Sequence, residues 1–182
     1  MAKMRLFTLI TLAFALIFSA CATKPTPPPQ PQKISDDELK LILIKSKNIR
    51  FYDFGTLVIN NGDSNNARIE LNVFKLGKYL GSFVVTKSEI CYIDLQKRND
   101  CAPKWPAARS FFGDVSYGEL FSDIFQRRDI FDGQGKRLEA NGAVIQEFSY
   151  GGEKIYYERS EKRIYFKNLT NGVIVSIEDY KK

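Results

Sequence analysis

Few residues in this chain could do chemistry. Its 182 residues hold three cysteines and no histidine, so the commonest general base and nitrogen metal ligand are missing. Cys91 and Cys101 flank the polar stretch YIDLQKRND. Such a pair has three outcomes: a disulfide closing the small loop, two free thiols, or half of a metal site. With no histidine and no C-x-x-C spacing, zinc is the weakest of these, and no metal is expected. The chain has no G-x-S-x-G elbow and no P-loop. The glycines of Asp132-Gly133-Gln134-Gly135 are too sparse for a phosphate cradle. Carboxylate pairs converging in the fold are the acid–base route that linear sequence leaves open. The expectation is a non-enzyme with no diffusible cofactor.

The third cysteine closes Met1–Cys21, MAKMRLFTLITLAFALIFSAC. Lys3 and Arg5 form a basic start, Leu6–Phe18 is apolar apart from Thr8 and Thr11, and the small pair Ser19-Ala20 precedes Cys21. An apolar run this short, between a basic start and small residues, is an export signal rather than a membrane span. With Cys21 directly after the small pair, the stretch resembles a bacterial lipoprotein signal, with Phe18 where leucine is usual. The resemblance implies cleavage before Cys21 and attachment there of diacylglycerol and an N-acyl chain; the alternative is an ordinary signal peptide with an incidental Cys21. Ala22 in place of an aspartate favours the outer membrane under the same resemblance. Several acyl chains anchor a protein far better than one. Export would put Cys91 and Cys101 in an oxidising compartment, where a disulfide contributes ~3 kcal/mol.

Three segments follow: residues 1–20 as signal, 21–34 as lipidated cysteine and tether, and 35–182 as one folded domain. Ala22–Lys33 carries five of the seven prolines, so it reads as an extended spacer reaching roughly 40 Å, with a PxxP ligand as the alternative. Removing Lys3 and Arg5 lowers the formal charge from +6 to +4, a basicity that does not by itself suggest nucleic acid.

The body opens on a capping box, Ser35-Asp36-Asp37-Glu38. Leu39, Ile42 and Leu43 then predict a short amphipathic helix through about Lys45, with a strand starting at Leu41–Ile44 as the alternative. From Asn48 the period becomes two. Phe51, Leu57 and Ile59 lie around a turn or bulge at Asp53-Phe54-Gly55, and NNGDSNN (60–66) is a loop. Ile69, Leu71 and Val73 share one face of the next strand. Lys75-Leu76-Gly77-Lys78 is a hairpin turn, and Tyr79–Thr86, bearing Phe83 and Val85, is the return. Ile90–Leu95 is a strand and Ala107–Phe112 a short helix. Ser116–Arg128 is predicted as a longer helix, with Ser116 and Glu119 as a second box and Leu120, Phe121, Ile124 and Phe125 on one face. Four strands end the chain: Ala143–Tyr150, Glu153–Arg159, Arg163–Leu169 and Val173–Tyr180, with Asn171-Gly172 as a type I′ turn. Ile164, Phe166, Val175 and Ile177 share their apolar face. This order predicts an α+β fold, a strongly curved antiparallel sheet (an incomplete β-barrel) with helices over its concave apolar face. The concavity is either an acyl cavity or a filled core.

Arg68–Val85, RIELNVFKLGKYLGSFVV, resembles the strand–loop–strand of the LolB family of outer-membrane lipoprotein receptors. Arg163–Tyr180 reads like that family's last two strands, and Ser116–Arg128 falls where it has helices closing an incomplete barrel. The likeness covers most of Ser35–Lys182. Lys75 departs from the proline usual in that loop, and the Cys91/Cys101 pair is not a family feature. The resemblance implies an outer-membrane, periplasm-facing monomer that takes acylated lipoproteins from a LolA-like periplasmic carrier and inserts them into the membrane. Leu76-Gly77, flanked by Lys75 and Lys78, would be the insertion loop. Phe51, Leu57, Ile59, Ile69, Leu71, Val73, Phe83, Val85, Phe121, Phe125, Ile164, Phe166, Val175 and Ile177 would line the acyl cavity. The competing class is a non-transport envelope-assembly or surface-interaction lipoprotein of the same fold with a filled core.

Overall fold

Alternation of period two dominates the observed architecture. The structure, a computed structural model, describes residues 39–60 and 68–180. The signal stretch, Cys21, the tether, the Ser35–Glu38 box and positions 61–66 of the asparagine-rich loop lie outside the described residues. Eleven strands form one antiparallel sheet: β1 Lys40–Lys45, β2 Arg50–Asn60, β3 Arg68–Lys75, β4 Lys78–Val85, β5 Glu89–Asp94, β6 Asn99–Pro103, β7 Lys136–Leu138, β8 Val144–Tyr150, β9 Glu153–Arg159, β10 Arg163–Asn168 and β11 Ile174–Asp179. Their order is β6-β5-β4-β3-β2-β1-β11-β10-β9-β8-β7, so the sheet is open at β6 and β7. Two helices, α1 Lys104–Phe112 and α2 Leu120–Phe125, fall between the two halves of the sheet in sequence.

The two halves join where β1 pairs with β11. Ile42 stands opposite Ile177 and Ile44 opposite Val175, and all four are buried. This pairing overrides the helix expected through Lys45. Ile42 and Ile44 alternate inward on a strand that has partners on both sides, so a β conformation buries both. On the next strands Ile69, Leu71 and Val73, then Ile164 and Phe166, are buried on the same alternation.

Strand β2 corrects a second expectation, because it runs through Asp53-Phe54-Gly55 without a turn. Gly55 is there for space. A Cβ on it would lie 2.1 Å from Ile42 Cδ1 and 2.3 Å from the Asn72 carbonyl oxygen. The irregularity sits instead between β3 and β4, where Val73 pairs with Gly81 and Phe74 with Tyr79, which leaves Leu80 of β4 as the extra residue.

The polar stretch between the cysteines is also no open loop. Strands β5 and β6 form a hairpin in which Cys91 and Cys101 stand directly opposite, Cα atoms 4.0 Å apart and sulfurs bonded at 2.10 Å. Strand β7, absent from the sequence expectation, pairs with β8 after a 3₁₀ turn at Phe131–Gly133.

Helix α1 begins three residues earlier than expected and ends at Gly113 (φ 88°). Helix α2 is much shorter than Ser116–Arg128. The Glu119 carboxylate meets Lys104 Nζ at 2.8 Å instead of reaching back to an amide near Ser116, so the second capping box does not form. At the other end Arg127 takes a φ of 57° and stops the helix. Buried Ala108 and Phe112 of α1 and Leu120, Ile124 and Phe125 of α2 belong to the same apolar cluster as the strand residues above. The Phe112 ring lies 4.6 Å from that of Phe121 and 5.2 Å from that of Phe166, linking α1, α2 and β10. The β10–β11 turn is not type I′ either, since Gly172 has a positive φ but Asn171 does not. Asn168 Oδ1 accepts from the Thr170 and Asn171 amides, and Asn171 Nδ2 donates to the Phe112 carbonyl at 2.9 Å.

Candidate functional site

The β3–β4 hairpin ends in a two-residue turn. Lys75 and Lys78 are paired, and Leu76 (φ 50°) and Gly77 (φ 76°) are both left-handed. Positive φ at both central positions belongs to the type I′ turn, whose twist matches that of the flanking strands. Leu76 is 88% exposed, so it does not fold back on the sheet. Its amide donates to Asp53 Oδ2 at 3.4 Å, which ties the turn to β2. Below it a polar ladder crosses three strands: Ser82 Oγ donates to Asn72 Oδ1, Asn72 Nδ2 to Thr56 Oγ1 at 3.1 Å. The Ser82 proton is thereby used, so Tyr79 donates its hydroxyl to Ser82 Oγ. The hairpin stands on a satisfied, ordered base and offers water a bare leucine between two lysines.

An apolar cleft of about 430 Å³ reaches the same end of the sheet. Ile49, Phe83, Ile90, Ala107, Phe111 and Phe121 line it, and Ser46, Asn48, Asp100 and Ser110 give it polar edges. Its size falls within the ~300–1,000 Å³ range of small-ligand sites. The β1–β2 turn supplies Ser46, Asn48 and Ile49, and β4 carries Phe83 away from the Leu76 turn. Among the expected cavity residues, Phe83 and Phe121 line this cleft. Ile69 and Val85 edge a second cleft of about 200 Å³. Leu71, Val73, Phe125, Ile164, Phe166, Val175 and Ile177 are packed into the core, with Phe51 and Leu57 half-buried against it. Ile59 is 39% exposed and stands apart from the cleft. Sequence reasoning missed Ile49 from the β1–β2 turn and Ala107 and Phe111 from α1 as lining of the cleft.

A third cleft, of about 530 Å³, is polar and is lined by Ser116, Tyr117, Asp123, Asp129, Phe131, Asp132 and Tyr150. Its charges are mostly spent on structure. Asp123 pairs with Arg128 at 2.7 Å and accepts from the Tyr117 hydroxyl at 2.6 Å. Burial pushes the Tyr117 phenol far above its ordinary value, and the Asp123 carboxylate adds to the shift. Asp129 is held by Lys136 at 2.9 Å and by Arg159. Arg159 also donates to the Arg128 carbonyl and to buried Gln146, which clamps Ile130 through its amide and carbonyl at 3.0 and 2.7 Å. Gln146 and Arg159 therefore pin the segment after α2 to β8 and β9.

The hydrogen bond from Lys136, then that from Arg159, holds the Asp129 carboxyl below its usual range. A carboxylate with a depressed folded pKa stabilises the fold above its unfolded value of about 3.9 and loses that effect as pH falls through the folded value. The Asp129 side chain is 38% exposed, so solvent screening limits its contribution to about 1 kcal/mol. Asp129→Asn is expected to be less stable than the parent by that amount at pH 7. Urea unfolding should show the two converge below about pH 4; a constant difference at all pH values would assign the loss to packing.

Glu89 lies near Cys91 and Cys101, with ligand atoms within 4.8 Å of one another. The sulfurs are joined, which leaves the carboxylate alone as a donor. Among the described residues no helix is long and apolar enough to cross a membrane. No protein-family model matches the chain, and neither does any curated protein.

Proposed function

We propose that this protein is a LolB-like outer-membrane lipoprotein that accepts acylated lipoproteins from a LolA-like periplasmic carrier and passes them to the bilayer. The exposure of Leu76 at the tip of a lysine-flanked hairpin carries this reading. Water gains nothing from that side chain, whereas burial in lipid returns ~1.5–3 kcal/mol. Lys75 and Lys78 add ~1 kcal/mol each near anionic headgroups. The eleven strands are read as the wall of an incomplete barrel. Gly55 and Gly81 flank Val73 in one row across β2, β3 and β4, and glycines placed so support a strong bend. Helices α1 and α2 lie on the concave side and leave the 430 Å³ cleft as the acyl site. Cargo moves without a nucleotide, from one apolar cavity to another and then to the membrane, while Cys21 bears the lipid anchor.

The test is a transfer assay. Carrier–lipoprotein complex is mixed with the non-acylated body, Ala22–Lys182, and liposomes are then added. Cargo is expected to move to the body and then to the liposomes. A body that takes no cargo from the carrier sinks the receptor reading. The burial of Leu71, Val73, Ile164, Phe166 and Val175 supports the second reading, an accessory envelope lipoprotein with a filled core. That protein would leave a fluorescent fatty acid unbound while natively folded.

A further inference from the structure

Antiparallel pairing sends alternate turns of a meander to the same end. Strands β1, β3 and β5 run the same way, since β2 and β4 oppose them. The turns after Lys45, Lys75 and Asp94 therefore leave one end of the sheet. That end carries Lys45, Lys47, Arg50, Lys75, Lys78 and Lys97, all exposed, and none takes part in an ion pair among the described residues. Its acids are largely engaged. Asp53 accepts from the Phe54 and Leu76 amides, and Asp94 holds Arg98 at 2.6 Å. Asp100, one row back on β6, remains against six cations.

A second apolar tip stands among these charges. Leu95 is 62% exposed in the β5–β6 turn. Asp94 Oδ1 accepts from the Gln96 and Arg98 amides at 2.8 and 3.0 Å, and the Lys97 amide donates to the Asp94 carbonyl at 3.0 Å. The turn satisfies its own polar groups and still presents its leucine to water. The disulfide braces the same hairpin at its middle.

We infer that Leu76 and Leu95 form a two-point apolar contact, ringed by these cations, for an anionic phospholipid bilayer. The inference rests on the reading of Leu76 as a bilayer contact and adds a second anchor and a lipid-charge preference. One leucine would leave the body free to rock about its hairpin. Two tips on neighbouring hairpins fix the orientation and turn the end reached by the apolar cleft toward the membrane.

The non-acylated body Ala22–Lys182, which contains the compact unit and its whole core, is sedimented with two kinds of vesicle. One is phosphatidylcholine alone; the other is phosphatidylethanolamine with phosphatidylglycerol at about three to one. Binding to the anionic vesicles is expected to fall about tenfold with Leu95→Asn. The triple variant Lys45→Gln, Lys47→Gln, Lys97→Gln should bind them about a hundredfold more weakly. Leu138, 75% exposed on edge strand β7, is the control, and Leu138→Asn should bind as the parent does. Parental binding by Leu95→Asn, together with loss by Leu76→Asn, overturns the second anchor and leaves the Leu76 reading intact. Loss with Leu95→Asn but not with Leu76→Asn overturns the Leu76 reading and, with it, the two-point contact. Equal binding to both vesicle types, or equal loss with Leu138→Asn, overturns the inference as a whole.

Discussion

Phe112→Ala is expected to lower the unfolding free energy by about 3–5 kcal/mol, the range for emptying a buried aromatic site. Phe112 is fully buried. Its ring touches Phe111 in its own helix at 4.8 Å, Phe121 in α2 and Phe166 in β10. Few atoms can relax into the space, because helix and sheet backbones fix its walls and interiors are close-packed. The loss should appear as a fall in melting temperature of roughly 10 °C. Phe112→Leu should recover most of it. A loss under about 1 kcal/mol would mean that the helices do not pack on the sheet.

The same substitution probes the cleft. Phe111 and Phe121, which flank Phe112, line it, so the alanine variant enlarges an apolar space that already opens outward. A fluorescent fatty acid that binds the native cleft should restore about 2.7 kcal/mol at a hundredfold excess over its dissociation constant. If the accessory-module reading is right, the variant loses the stability and no fatty acid restores it.

Much of the sheet is legible in the chain because burial on one face imposes a period of two. In β10 and β11 the inward positions alternate, Ile164 and Phe166 and then Val175 and Ile177, and buried Asn168 is the polar exception at the end of β10. The Leu76 turn is legible for a different reason, since Lys-Leu-Gly-Lys interrupts two alternating runs. Local signals fail where a distant partner outbids them. The Ser116/Glu119 pair looks like a capping box, yet Glu119 finds Lys104 fifteen positions away. Leu41–Ile44 fits a helix or a strand until β2 and β11 lie on either side of it. Buried Gln146 and Arg159 are invisible in linear sequence, because a polar residue on a strand reads as outward-facing until something polar packs over it. The cleft is the least legible feature. Its walls come from the β1–β2 turn, β4, β5, β6 and both helices, and no local pattern marks residues that meet only in the fold.

Leu76→Asn is expected to lower membrane delivery without lowering stability. Leucine in the left-handed region places its Cβ against the following carbonyl, a cost of roughly 1–2 kcal/mol. Asparagine tolerates that region far better, and Asn-Gly is the preferred pair for a two-residue hairpin turn with positive φ at both positions. With Leu76 exposed and in contact with no core residue, the substitution empties no packed space. Thermal unfolding of the variant should therefore match the parent or exceed it by up to about 1 kcal/mol. Delivery should fall by about tenfold to a hundredfold, since ~1.5–3 kcal/mol of lipid contact is lost. Acceptance of cargo from the carrier should be unchanged, because the cleft lies behind Phe83 and not at the turn. Leu76→Phe keeps the apolar tip and should keep delivery. Parallel melts and transfer time courses separate the outcomes. Lower stability with Asn would show a leucine that serves packing, and unchanged delivery would show a tip that never enters lipid. A leucine held in a strained backbone and surrounded by water repays that strain only on meeting an apolar phase.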